Sequence, residues 1–160
     1  MVRQQIEKVL EAESPIHRDV LCKRVLDSWG ISRMGARISR RFDSLFSAMG
    51  VKSTGQEDAV FFWCADVNPL QFDGFRVPAG DEKTRRNLEQ IPPEEIASVV
   101  KHILRRQIGL ELEDLEREVS RVFGFARCTA AMQKCILAGI EVAVARNWAT
   151  FDGGRVNGVL

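Results

Sequence analysis

Long apolar runs are missing from this chain. No stretch of its 160 residues approaches the roughly 18 consecutive apolar positions a membrane span requires. The opening Met-Val-Arg-Gln-Gln-Ile-Glu-Lys does not have the pattern of a secretion signal. Paired cysteine spacing is missing too. Cys22, Cys64, Cys128 and Cys135 occur singly, which argues against a zinc site. Cys22, Cys128 and Cys135 fall within helical patterns and read as small reduced core residues, the usage of a reducing cytoplasm. Histidine is scarce, and neither His17 nor His102 stands where a base would meet an activated nucleophile. No phosphate loop of the form G-x-x-x-x-G-K-[ST] occurs. These gaps exclude a membrane partner, a metal and a cofactor from the reading, and they make the segment a non-enzyme. Charge of one sign is also lacking overall, at +1 net, so any basic surface must come from local arrangement.

What is present is 45% apolar content, ample for a core, and one conspicuous amphipathic stretch from Gly30 to Gly50. Advanced at about 100° per residue, it gathers Met34, Ile38, Phe42, Leu45 and Met49 on one side. Arg33, Arg37, Arg40 and the small Ser44 fall on another, with Arg41 at the edge. Gly30 supplies a sharp turn, Ser32 is placed to cap the first free amides, and Gly50 is placed for a left-handed stop.

Upstream, a helix is expected from about Val2 to Ala12 with Ile6, Val9 and Leu10 inward. Pro15 interrupts it and Ile16 makes a short extended contact. A second helix is expected from about Arg18 to Trp29 with Leu21, Val25 and Trp29 inward. Downstream, Val51-Lys-Ser, a turn-rich Thr-Gly-Gln-Glu-Asp and the segment 59–64 read as a β-hairpin. Trp63 and Trp148, like Trp29, sit where core or wing packing is expected. Three helices followed by a hairpin is the order of a winged helix-turn-helix.

The pattern then recurs. A shift of 94 residues lays Ile6 and Leu10 on Val100 and Leu104. It lays Leu21, Val25, Trp29, Gly30 and Arg33 on Leu115, Val119, Phe123, Gly124 and Arg127. Ile38, Phe42 and Phe46 fall on Met132, Ile136 and Ile140, with no gap. The second copy closes on two short strands around Gly153-Gly154. The expected architecture is therefore mainly α with small β-hairpins, as tandem winged helix-turn-helix modules: residues 1–64, a linker 65–93, and residues 94–160. The linker holds four of the five prolines and a mixed-charge run from Asp81 to Arg86. Phe72 and Phe75 suggest that part of it packs on a module, and Ile91-Pro-Pro-Glu-Glu-Ile96 has the make-up of a helix start.

Several of these motifs, in order, resemble an uncharacterised bacterial domain-of-unknown-function family, number thirty-three twenty. They are Pro15-Ile16-His17, Leu21 to Val25, Gly30 to Ile38, Arg76-Val-Pro78, Ile91 to Ile96 and Phe123-Gly-Phe-Ala-Arg127. That family is typically found near the C-terminus of very large proteins that carry a superfamily I DNA/RNA helicase and often a Vsr-like endonuclease domain. The resemblance implies an excised helper segment, with other domains of a helicase-type parent as partners. It carries over no catalytic residue. In the second copy, Arg127-Cys-Thr-Ala-Ala-Met132 departs from the family pattern by lacking the second glycine and second arginine.

Two functional readings follow. In the first, module one is a non-catalytic nucleic-acid-binding unit, for duplex DNA, acting through Arg33, Arg37, Arg40 and Arg41 on the third helix and Lys52 on the wing. Glu57 and Asp58 in the wing turn oppose that role. In the second, the arginine row is a solvated face or pairs with carboxylates of a neighbour, and the chain is a protein-interaction scaffold. Module two fits the second reading better. Its matching positions are Arg127, Ala131, Lys134 and Cys135, and Glu111, Glu113, Asp114, Glu116 and Glu118 would repel a phosphate backbone.

Overall fold

A computed structural model describes residues 1–80 and 84–159. Asp81, Glu82 and Lys83, half of the mixed-charge run expected at 81–86, lie outside the described residues. The chain is mainly helical with small antiparallel sheets and divides into two compact units, Met1–Pro69 and Leu70–Leu160. The stretch 70–92 therefore belongs with the second unit, where Phe75, Leu88 and Ile91 pack on the core.

In the first unit, α1 (Val2–Glu13) is followed by β1 (Ile16–His17), α2 (Arg18–Asp27), α3 (Ala36–Met49), β2 (Lys52–Thr54) and β3 (Phe61–Trp63). The three strands form an antiparallel sheet in the order β1-β3-β2, with Ile16 and Ser53 both facing Phe62 in register. Ile6, Leu10, Leu21, Val25, Phe42 and Phe46 close the core. The ring of Phe46 lies 5.8 Å from that of Phe42 and 4.4 Å from that of Phe62, so α3 is seated on the sheet through aromatic contacts. Burial of each such ring contributes roughly 2–3 kcal/mol.

The second unit repeats this order: α4 (Pro93–Gln107), β4 (Gly109–Glu111), α5 (Leu112–Val122), α6 (Ala130–Ala145), β5 (Ala149–Asp152) and β6 (Arg155–Gly158). Its sheet runs β4-β6-β5, the same order as in the first unit. Pro93 occupies the first turn of α4, where its missing N–H costs nothing. Gly139 lets α6 approach α4, because a Cβ there would overlap the side chain of Ile96. Glu95, fully buried at the start of α4, accepts from Arg86 Nη2 (2.6 Å) and Nη1 (2.9 Å) and from the Arg76 amide (2.8 Å). This carboxylate ties the segment ahead of α4 to the helix.

Four expectations are corrected. Trp29 is not core: α2 ends at Asp27, two residues before Trp29, and the tight turn that follows swings the indole out to 46% exposure. Cys22 and Leu26 fill the inward positions instead. The helix from Gly30 does not begin at Ser32; residues 31–35 are irregular, Gly35 is the N-cap, and α3 starts at Ala36. Cys128 lies in the turn ahead of α6 and not in a helix. Glu116 does not face solvent; it is buried and accepts from Gln133 Nε2 at 3.1 Å.

Candidate nucleic-acid interface

The period of α3 decides what it shows to water. Phe42 and Phe46 are buried, and Ile38, Leu45 and Met49 partly so. A helix with that inward stripe must present the positions between them, and Arg37, Arg40, Arg41, Ser44 and Ala48 are all exposed. Gly50, at φ 63°, closes the helix in the left-handed conformation. No acidic residue stands in the first turn of α3, so the positive end of the helix dipole adds to the arginines.

The helix has one acid, Asp43, and it is already engaged. Arg18, at the start of α2, donates from Nε to Asp43 Oδ1 at 2.9 Å. It also donates to Asp19 Oδ1 (2.9 Å), Ser39 Oγ (2.8 Å) and the Ser39 carbonyl (3.1 Å). Burial works against the Arg18 charge, but the bonds to Asp43 and Asp19 outweigh it and hold its pKa above the ordinary value. Arg37, Arg40 and Arg41 make no ion pair among the described residues; Arg40 Nε donates to the Ala36 carbonyl within its own helix (3.4 Å). Sequence reasoning passes over Arg18, since nothing local in the chain links positions 18 and 43. Its effect is to spare the stripe of Arg37, Arg40 and Arg41 a competing carboxylate.

The remaining candidates are placed differently. Arg33 is exposed but precedes the helix, in the irregular segment before Gly35. Lys52 on β2 donates to the Ala65 carbonyl (3.0 Å) and the Val67 carbonyl (2.7 Å), so two of its three donors are already engaged. The turn joining β2 to β3 exposes Glu57 and Asp58. Gly55 is required in that turn, at φ 87°, because a Cβ there would overlap the Ala59 carbonyl. With Asp19 and Asp43, those two acids line a groove beside α3. The basic surface is therefore the outer stripe of α3 and not the hairpin.

His17 has a structural part. Its Nδ1 accepts from the Asp19 amide at the start of α2 (3.2 Å), and its Nε2 bonds the Asp58 carbonyl (2.7 Å). Those two partners require the Nε2–H tautomer of a neutral ring. Trp63 is buried and donates from its indole N–H to Thr54 Oγ1 (2.8 Å), while Trp148 carries the Lys101 ammonium 4.3 Å from a ring centroid. His102 stacks edgewise on Phe75 at 5.4 Å. Burial pushes the Cys22 thiol up to about 12, which makes it unreactive near neutrality.

In the second unit the positions matching the arginine stripe sit on α6. Ala131 and Lys134 are exposed and Cys135 is half-buried, while Leu137 and Val144 also reach solvent. Its face is less charged than that of α3. Among the described residues no helix is long and apolar enough to cross a membrane.

No curated protein and no solved structure matches the chain. The motifs at 76–78, 91–96 and 123–127 lie outside the residues that the matching family profile covers. Residues 1–40, which contain α1, β1, α2 and the start of the arginine stripe, match the family described as protein of unknown function (DUF3320), the family that the sequence motifs resemble.

Proposed function

We propose that the chain is a non-catalytic nucleic-acid-binding segment built as two winged helix-turn-helix units, of which the first holds duplex DNA. The observation that carries this reading is the outer stripe of α3: Arg37, Arg40 and Arg41, exposed, without a carboxylate partner among the described residues, on a helix whose one acid is held by Arg18. A helix of this kind fits the roughly 12 Å width of a major groove, with guanidinium groups meeting phosphates or the O6/N7 edge of guanine. Arg33 extends the stripe at its N-terminal end, and Lys52 adds charge more than direct contact. The second unit, with Leu137 and Val144 exposed on α6, serves as a protein-contact surface toward other domains of a helicase-type parent in a cytoplasmic setting. The recurrence of the same element order and sheet order in both units supports the winged-helix reading.

The test is a fluorescence-anisotropy titration with short duplex and single-stranded DNA at two salt concentrations. Four phosphate contacts give a log–log salt slope of roughly −3 to −4 for duplex. Replacing Arg37 and Arg40 by alanine halves the slope to about −2. It leaves the unfolding free energy within about 0.5 kcal/mol, as expected for exposed sites. Undetectable or salt-insensitive binding would replace this reading by the one in which the whole chain is a protein-interaction scaffold.

A further inference from the structure

The corner after the second helix of each unit is the same backbone with two different covers. In the first unit the Gly30 amide donates to the Asp27 carbonyl (3.1 Å) and the Ile31 amide to the Leu26 carbonyl (3.0 Å). In the second, the Gly124 amide donates to the Arg121 carbonyl (3.0 Å) and the Phe125 amide to the Ser120 carbonyl (2.9 Å), the same bonds 94 residues on. Both glycines have positive φ, 72° and 90°.

The second corner is covered by its own chain. A Cβ on Gly124 would stand 3.0 Å from Pro78 Cγ and 3.4 Å from Arg85 Cδ. The Arg85 guanidinium lies 4.8 Å from the Phe125 ring centroid and that of Arg86 lies 6.0 Å from the Phe123 ring, which is only 2% exposed. The first corner is bare. Trp29 and Ile31 are 46% and 37% exposed, and nothing lies within 4 Å of a Cβ on Gly30.

We infer that the Trp29-Gly30-Ile31 corner is a docking site for a partner peptide with the chemistry of the strap on the second unit: a proline for the glycine and, further along the chain, arginine for the aromatic ring. Three features select that occupant. The open glycine admits a proline ring as Gly124 does. Tryptophan is the aromatic that attracts a guanidinium most strongly, and here it replaces phenylalanine. Asp27, exposed and without an ion pair among the described residues, sits at this corner where the second unit has Arg121. It supplies the negative charge that Glu95 supplies to Arg86, since position 95 corresponds to Met1 in the first unit. Ile31 in place of Phe125 takes an aliphatic stem instead of a cation. This inference does not depend on the DNA reading.

The experiment adds a synthetic peptide of the sequence 75–88 to the full chain and follows the Trp29 indole N–H by NMR, assigned through the Trp29→Ala variant. The expected result is a saturable shift of that resonance alone among the three indoles. A peptide with both arginines replaced by alanine should bind about tenfold more weakly, from the one cation–ring contact at Trp29 and the charge pair with Asp27. Because Trp29 is exposed, an unchanged urea midpoint for Trp29→Ala confirms that its fold is intact. The inference is overturned by the absence of a saturable shift, by equal binding of the alanine peptide, or by a Trp29 shift produced by duplex DNA and not by the peptide.

Discussion

At position 22 the first unit buries a thiol; at position 116, the same place 94 residues on, the second buries a carboxylate. The thiol sits among apolar side chains and responds by holding its proton more tightly, whereas Glu116 takes a hydrogen bond from Gln133. The same contrast runs through both units. The first buries no carboxylate and is held by apolar and aromatic packing; the second takes carboxylates inside and gives them partners, Arg86 for Glu95 and Gln133 for Glu116. One fold tolerates both solutions because burial penalises an unpaired polar group and not polarity itself. On α3 of the first unit Arg37, Arg40 and Arg41 make no ion pair among the described residues, while Arg85 and Arg86 of the second lie on Phe125 and Phe123 and Arg86 pairs with Glu95.

The contrast breaks most readily at Glu95. Glu95→Gln removes the charge that Arg86 answers and leaves a guanidinium without its buried partner, a loss of about 3 kcal/mol in urea unfolding. The corresponding Met1 is 94% exposed, and its replacement should leave the midpoint unmoved. A smaller effect is expected at Gly139. Gly139→Ala drives a methyl into Ile96 and costs about 1–3 kcal/mol, whereas the corresponding position in the first unit already carries Leu45.

Cys22 sharpens the comparison through pH. An unfolded cysteine ionises near about 8.5. The folded thiol holds its proton up to about 12. Between those values the unfolded chain has lost a proton that the folded chain keeps, so stability is full below the lower value and falls as pH rises. The slope from this group is about 1.4 kcal/mol per pH unit. Urea midpoints followed from pH 8 to 10 should fall in the wild-type chain, and Cys22→Ala should remove that part of the fall. An identical slope in the variant would show that Cys22 is not the group responsible.

Much of this architecture is legible in the chain before folding. The inward positions Ile6, Leu10 and Phe42 follow from a 3.6-residue period, and the strands around Gly153-Gly154 from turn chemistry. The 94-residue recurrence aligns helices and strands that the structure indeed forms in the same order. Where the reading failed, the cause was a boundary. Periodicity extended α2 to Trp29 and α3 back toward Ser32, but a period has no means of marking where a helix stops. The turn at Gly30 and the extended Gly35 decided both ends. The contacts of Arg18 and Lys52 were not legible for another reason: their partners, Asp43 and the carbonyls of Ala65 and Val67, are not local in sequence.

By itself, then, the order of residues determined which faces turn inward, that the unit is made twice, and that α3 carries arginines on its outer side. Those are consequences of short-range geometry, which repeats every few residues. Only the folded molecule decided which charges are already answered, which aromatic corner is covered, and which cation keeps its donors available. Such outcomes depend on groups apart in sequence, as Arg18 and Asp43 are by 25 positions, and no local rule encodes that meeting.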